Sequence, residues 1–298
     1  MAFRAPSYIR LAEARTKHPS WWAIWRITFI RGWKSTWVRR LTIGAIAQGV
    51  AITLVMYFIQ TVLPGWRTIL RDLGQLAGQD GGMSVNEFDS RFYLVALQWF
   101  VYPFLLPIGA LLGHTLITGD LKSNALEAYF SRPITPGAYL IGRTGAFTAF
   151  LLLVTLAPLL WIWLFDVLTA PDGHFEKVAM VPLGMSAAMG LLALTVALFV
   201  QAVSSFTRNG TKTALFLVTF IVLSGSLGPI FSKITGEVSY LAIAFYQDIF
   251  TLANGLLDWP FDADESPPFQ LALGVILAIL LSSLSALIFQ IRTKGRVG

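Results

Sequence analysis

Residues that could carry chemistry are scarce in this 298-residue chain. There is no cysteine, which removes disulfides, thiolate metal sites, iron–sulfur clusters and cysteine nucleophiles. The three histidines, His18, His114 and His174, are scattered. A multi-histidine metal site is therefore not expected, and the His-Glu-x-x-His pattern of a metalloprotease is missing. Ser226 sits in a glycine-rich stretch, but a serine nucleophile needs a base on a facing element, and no histidine follows it. Asn209-Gly210-Thr211-Lys212 looks like the tail of a phosphate-binding loop without its first glycine and spacing. It reads instead as a short hairpin with Arg208 and Lys212 at its edges. The expectation is no catalytic residue, no metal and no bound cofactor in this chain.

The most specific stretch is residues 119–143, GDLKSNALEAYFSRPITPGAYLIGR. Asp120 can cap a short helix whose first N–H groups lack partners. Leu121, Ala125, Leu126, Tyr129 and Phe130 follow helical spacing and make one apolar face, flanked by Glu127 and Arg132. Pro133 and Pro136 then end the helix. Tyr139–Arg143 forms a second amphipathic piece. A short helix lying across the ends of two larger ones can transmit a push into both. The alternative is a polar connector with a proline turn.

The elements that would position this loop follow from composition. Hydrophobic residues make up 55% of the chain, charged residues 13%, and the mean hydropathy is +0.66. Soluble domains carry about 25% charged residues. Six runs lack Asp, Glu, Lys and Arg: 41–63, 92–119, 144–165, 178–206, 213–232 and 269–291. Each reaches the roughly 20 helical residues that a hydrocarbon core requires, and exceeds the roughly 9–11 of a barrel strand. The predicted fold is an all-α membrane protein: a cytoplasmic N-terminus over 1–40, a six-span domain over 41–291, and a cytoplasmic tail over 292–298. The flanks carry the orientation. Seventeen of the 22 Lys and Arg lie on the side of the two termini, and 13 of the 16 Asp and Glu lie opposite. Basic residues accumulate in the cytoplasm, so both termini are expected there. The net charge of +6 is thereby a topology signal and calls for no nucleic acid. Residues 238–257 are apolar but hold Asp248, whose mid-span burial would cost about 2.5–3.5 kcal/mol. They are expected to form an interfacial or re-entrant helix on the outer side.

No cleaved signal is expected, since the first apolar run begins only at residue 41 and no small-residue cleavage site follows it. Ahead of it, Trp21, Trp25, Phe29, Trp33 and Trp37 recur every fourth residue. They predict an amphipathic helix lying in the membrane interface, either an anchor or a lever into the first span. Pro103, Pro107, Pro158 and Pro182 would each kink a span. Gly184, Ser186, Ala187, Ala188 and Gly190 would allow close helix approach. His114, Thr115 and Thr118 add polarity near the inner end of the second span. Gly225, Ser226, Gly228 and Pro229 would break the fifth span.

The acid at Asp120, Leu126-Glu127, Ser131-Arg132-Pro133-Ile134-Thr135, Tyr139-Leu140 and Gly142-Arg143 together resemble the cytoplasmic loop of the type-2 ABC-transporter permeases. The layout resembles the family over nearly the whole chain, the motif over about 24 residues. The resemblance implies that Asp120–Arg132 is a coupling helix seated in a cleft of a separate ATPase subunit. Residues 225–229 would then belong to an outer gate rather than an ordinary exit turn. Two departures stand out: Pro136, where members often carry a basic residue, and Arg143, often Lys. The implied partners are two copies of a cytoplasmic ABC ATPase holding ATP and Mg, a second permease copy or paralogue, and membrane lipid. The implied place is a bacterial cytoplasmic (inner) membrane.

Three functions compete: a transport subunit, an intramembrane enzyme, and a non-transporting scaffold that binds a partner through the loop. The scarcity of reactive residues disfavours the enzyme, and co-purification with an ATPase separates the other two. Spans almost free of charge suit an amphiphilic or lipid-linked cargo, or mechanical work on an outer partner, better than an ion path, and the resemblance implies an exporter. The orientation can be checked directly. Cysteines introduced at Lys122 and Arg208 are expected to resist an impermeant thiol reagent added outside, while those at Asp172 and Asp264 react. Labelling at Lys122 would invert the topology.

Overall fold

A computed structural model describes residues 19–62, 90–116, 120, 134–170, 173–207, 209–256 and 266–294. The chain runs through α1 (Ser20–Lys34) and turns at Ser35 into α2 (Thr36–Val62). Next come α3 (Ser90–Phe100), a π turn (Val101–Leu105) and α4 (Leu106–Leu116). Then follow α5 (Pro136–Thr169), α6 (His174–Val178), α7 (Val181–Thr207) and α8 (Gly210–Thr235). A 3₁₀ turn (Val238–Ile243), α9 (Phe245–Leu256) and α10 (Phe269–Lys294) complete the described chain.

Six segments are long and apolar enough to cross a membrane: Thr36–Thr61, Phe92–Gly113, Pro136–Thr169, His174–Thr207, Gly210–Thr235 and Phe269–Ile291. They are numbered here as spans one to six. Residues 238–256 add no seventh. The 12 residues of α9 rise only about 18 Å at 1.5 Å each, well short of a hydrocarbon core.

Ile24, Tyr139 and Ile291 share a buried cluster, so α1, the start of α5 and the end of α10 meet at one end of the bundle, the near end. Tyr93, Asp166 and His174 meet at the opposite, far end. Span four is the central pillar. Its most apolar window is 61% buried inside the protein, against 17% for span five, whose outer face carries Leu215, Val222, Ile230 and Ile234 to the surroundings. Around the pillar pack α4, α5, α8, α9 and α10.

Close packing rests on particular glycines. A Cβ on Gly113 would stand 1.9 Å from Val200 Cγ1, and one on Gly49 2.9 Å from Pro158 Cβ. The predicted small-residue stretch of span four does less: Gly190 has no neighbour within 4 Å of where its Cβ would be.

The prolines divide into two kinds. Pro182 does not interrupt a helix as expected. It occupies the first turn of α7, where an N–H has no intrahelical partner to lose. Pro136 likewise opens α5, with the Thr135 hydroxyl accepting from the Ala138 N–H at 3.2 Å. Tyr139–Arg143 is therefore the beginning of α5 rather than a separate amphipathic piece. Pro158 and Pro103 are interior. Pro158 rides inside continuous α5, and Pro103 stands in the π turn.

Pro103 has no N–H to offer the Trp99 carbonyl four residues back. The Gln48 side chain, on span one, supplies that donor from Nε2 at 2.9 Å. Where water is absent, a neighbouring helix must satisfy such a freed carbonyl. Side-chain bonds of this kind average about 0.6 kcal/mol and reach about 1.7 kcal/mol in membranes. Gln48→Ala is expected to cost an amount in that range in a reversible unfolding assay. In a Pro103→Ala background, which restores the backbone donor, the same change is expected to cost distinctly less. Equal costs in both backgrounds would break the link between Gln48 and the proline.

Candidate functional site

The near end holds a buried ionic knot built from three elements. Asp120 follows span two, and Arg143 lies two turns into α5; they are 6% and 3% exposed. They form an ion pair through Asp120 Oδ2 and Arg143 Nη2. The Tyr139 hydroxyl donates to the same carboxylate oxygen at 2.7 Å, one turn before Arg143 on the same helix. The Arg143 guanidinium also lies 5.7 Å from the Tyr139 ring centroid. Its other terminal nitrogen, Nη1, donates to the Thr28 hydroxyl at 3.2 Å, and Thr28 belongs to α1. A planar fork with several donors can hold a carboxylate and a hydroxyl at once, which a lysine ammonium does with far less geometric definition. One helix position further, the Thr144 hydroxyl donates to Gln201 Oε1 of α7 at 3.3 Å. The polar stripe thus joins α1 and spans two, three and four.

The sequence reading singled out Asp120 and Arg143 separately, Asp120 as a helix cap. Their carboxylate–guanidinium contact ties Asp120, just beyond span two, to the second turn of α5. The remaining loop residues of the candidate site, Leu121, Ala125, Leu126, Glu127, Tyr129, Phe130, Ser131, Arg132 and Pro133, lie outside the described residues.

α1 docks beside this knot. Its buried face is Ile24, Thr28 and Gly32, spaced by four and turned onto α5. The aromatic ladder flanks that face rather than forming it. Trp25 stacks on Phe29 at 5.1 Å, and Phe29 stacks on Phe150 of α5 at 4.3 Å. Trp21 and Trp33 are exposed, and Trp37 falls in α2, beyond the break at Ser35. Small residues decide the docked face, because only they admit a backbone. A Cβ on Gly142 would lie 2.7 Å from the Trp21 carbonyl oxygen, and one on Gly32 would lie 2.6 Å from the Phe150 ring.

The far end differs from expectation. Gly225, Ser226, Gly228 and Pro229 do not break span five. α8 runs through them to Thr235 and ends at Gly236, whose φ of 75° suits a residue without a Cβ. A proline costs only local backbone bonding, and here the Ser226 hydroxyl also returns to the Val222 carbonyl at 2.8 Å. The glycines serve packing instead. A Cβ on Gly225 would stand 3.0 Å from the Tyr246 ring, and one on Gly228 3.1 Å from Ala244. The segment after span five folds back onto that notched face.

Two further far-end features carried little signal in sequence. Tyr93 and His174, expected in no shared site, both bond Asp166 Oδ2: the phenol at 2.7 Å and His174 Nε2 at 2.8 Å. All three are buried, and they join the far ends of spans two, three and four. The available clue was a lone acid ending an otherwise apolar run. In α9, Asp248 is fully buried and Thr251 nearly so, and neither carboxylate oxygen nor the Thr251 hydroxyl has a partner. Burial pushes the Asp248 carboxyl up to about 8. Between α2 and α5 lies an apolar cleft of about 320 Å³ lined by Ile46, Gly49, Val50, Ala157, Pro158 and Trp161. Among the described residues, no three His, Asp or Glu converge as metal ligands.

No family model matches this chain, and no curated protein matches it either.

Truncating one partner of a buried ion pair leaves the other charge stranded, at a cost of about 3–5 kcal/mol. Arg143→Ala and Asp120→Ala are each expected to destabilise the chain by roughly that amount in a denaturation series. Combining Asp120→Leu with Arg143→Met is expected to recover most of the loss, because no lone charge remains. Arg143→Lys is expected to behave closer to Arg143→Ala than to the parent. A double variant as unstable as the sum of two single losses would contradict this account of the knot.

Proposed function

We propose that this chain is the membrane-spanning permease subunit of a type-2 ABC transporter, working as an exporter. In this reading ATP is hydrolysed by a separate subunit seated under residues 121–133. The observation that carries the proposal is the Asp120–Arg143 pair with its second bond to Thr28. A loop pinned at its base by a buried ion pair is a stiff handle. Force on it reaches span two through Asp120, span three through Arg143, and α1 through Thr28. A polar connector would have no reason to bury a guanidinium at its root. The loop motif and the arrangement of long apolar segments point the same way.

The mechanism that follows is mechanical. ATP-driven closure of two ATPase subunits would push the loop helix of each of two permease copies. The pinned loop root would tilt spans two and three against the central span four, with α1 moving as their interfacial lever. Span two can flex at its π turn, and span three at Pro158. The cleft between α2 and α5 has almost no polar wall, which suits the hydrocarbon part of an amphiphilic cargo. The far-end segment packed on Gly225 and Gly228 would be the element that parts to release it.

The test removes docking without touching a span. Glu127→Ala and Tyr129→Ala are expected to reduce co-purification of an ATP-hydrolysing subunit from native membranes while leaving insertion normal. Lys122→Ala, outside the apolar face read from the loop's helical spacing, is expected to have little effect. A desolvated charge at an interface is worth about 2–5 kcal/mol when truncated, and a rim charge about 0–1. The reading fails if Glu127→Ala and Tyr129→Ala both retain parental co-purification and parental transport-linked hydrolysis. It fails equally if the isolated chain binds ATP saturably.

A further inference from the structure

Asp248 stands apart from every other buried acid in the described structure. Asp120 is met by Arg143 and Tyr139, and Asp166 by Tyr93 and His174. Both Asp248 oxygens are buried without a donor. The amides that start its own helix are taken, since Gln247 and Asp248 N–H both donate to the Ala244 carbonyl, at 2.8 and 3.2 Å.

Thr251 provides a second, independent anomaly. Four buried helical threonines fold their hydroxyls back to the carbonyl four residues earlier, Thr42 to Val38, Thr53 to Gly49, Thr155 to Leu151 and Thr195 to Leu191, while Thr28 and Thr144 bond side chains of other helices. Thr251 is 1% exposed and makes no such bond. Three residues apart, Asp248 and Thr251 share one face of α9. Three unsatisfied oxygens therefore sit together where the other buried polar groups are largely paired.

An ionised carboxylate in this position would bear a desolvation penalty of several kcal/mol with nothing to offset it. Adding a proton removes the charge and creates a donor, for which the Thr251 hydroxyl, one turn along the same face, is a candidate acceptor. The other ionisable groups on or beside the elements packed against α9 are few. Glu237 borders the 3₁₀ turn, Lys233 and Lys212 lie on α8, Arg91 on α3, and Arg292 and Lys294 on α10. Tyr93, Tyr240 and Tyr246 complete the set. None bonds Asp248.

We propose that Asp248 and Thr251 form a proton-binding site in α9, occupied at neutral pH while α9 is packed against spans four and six, and emptied when α9 moves into water. The step is simple acid dissociation. The O–H bond breaks, its electron pair stays on the carboxylate, and the proton passes to water. Movement of the far-end segment is thereby linked to proton exchange, whatever drives it. The idea is independent of the ATPase-coupling reading and can fail without it.

Infrared difference spectroscopy on the full chain in lipid vesicles tests it. At pH 7 the parent is expected to show a protonated-carboxyl C=O band that is missing in Asp248→Asn, and Thr251→Val is expected to shift that band. Thermal stability gives a second reading. The folded-state carboxyl is raised to about 8, above the ordinary value of about 4. Its contribution is complete at acidic pH and declines as pH rises between those values. Relative to Asp248→Asn, the parent is therefore expected to lose stability across that window, with the deficit levelling off above about 8. Absence of an Asp248-dependent protonated band at pH 7 overturns the proposal, as does a pH-independent stability difference. So does loss of the band when choline is replaced by sodium, which would assign the site to a metal cation.

Discussion

A backbone without water is the constraint from which the rest of this structure follows. Inside hydrocarbon every N–H and C=O must find its partner within the protein, and the described chain answers with helix everywhere. The same rule governs the exceptions. Where Pro103 withholds a donor, a side chain from another span replaces it. Where helices begin or end, Thr135, Asn209 and Gly236 handle the orphan groups. The described ionisable side chains buried in the interior, Asp248 apart, are gathered into small shared sets, one at each end of the bundle.

Those two sets give the bundle its polarity of purpose. At the near end a guanidinium gathers a carboxylate and a hydroxyl from different elements, and at the far end a carboxylate gathers a phenol and an imidazole. The middle is packed with apolar groups and closely approaching glycines. Such an arrangement is stiff at both ends, and its interior can slide more readily than it can open. Asp248 is the one fully buried described acid that joins neither set, which is why its protonation state bears on the far-end segment.

How much of this was legible in the sequence depends on the kind of signal. Long uncharged runs exposed the six spans, because length and charge are local properties. Helix ends were less visible: span three begins at Pro136 because a proline can open a helix as readily as end one. The glycine cluster at 225–229 suggested a break, but a glycine that stops one helix is chemically the same residue as a glycine that admits a neighbour. The aromatic ladder of α1 was plain, yet the docked face was the inconspicuous Ile24, Thr28 and Gly32. Pairings across distance were not legible. Nothing local connects Asp120 to Thr28, or Tyr93 to His174, since only the folded bundle brings them within reach.

The π turn at residues 101–105 has an effect beyond flexibility. A wider turn takes in one residue more than an α-helical turn would, and each residue of an α-helix advances the azimuth by about 100°. The two halves of span two are therefore out of phase. The face that α3 shows toward Asp166 is not continued in register by α4. Span two behaves as two short cylinders sharing an axis, each meshed with its own set of neighbours. A rotation begun at Asp120 need not be delivered whole at Tyr93. The wide turn makes span two a jointed element rather than one continuous rod, with the joint at Val101–Leu105.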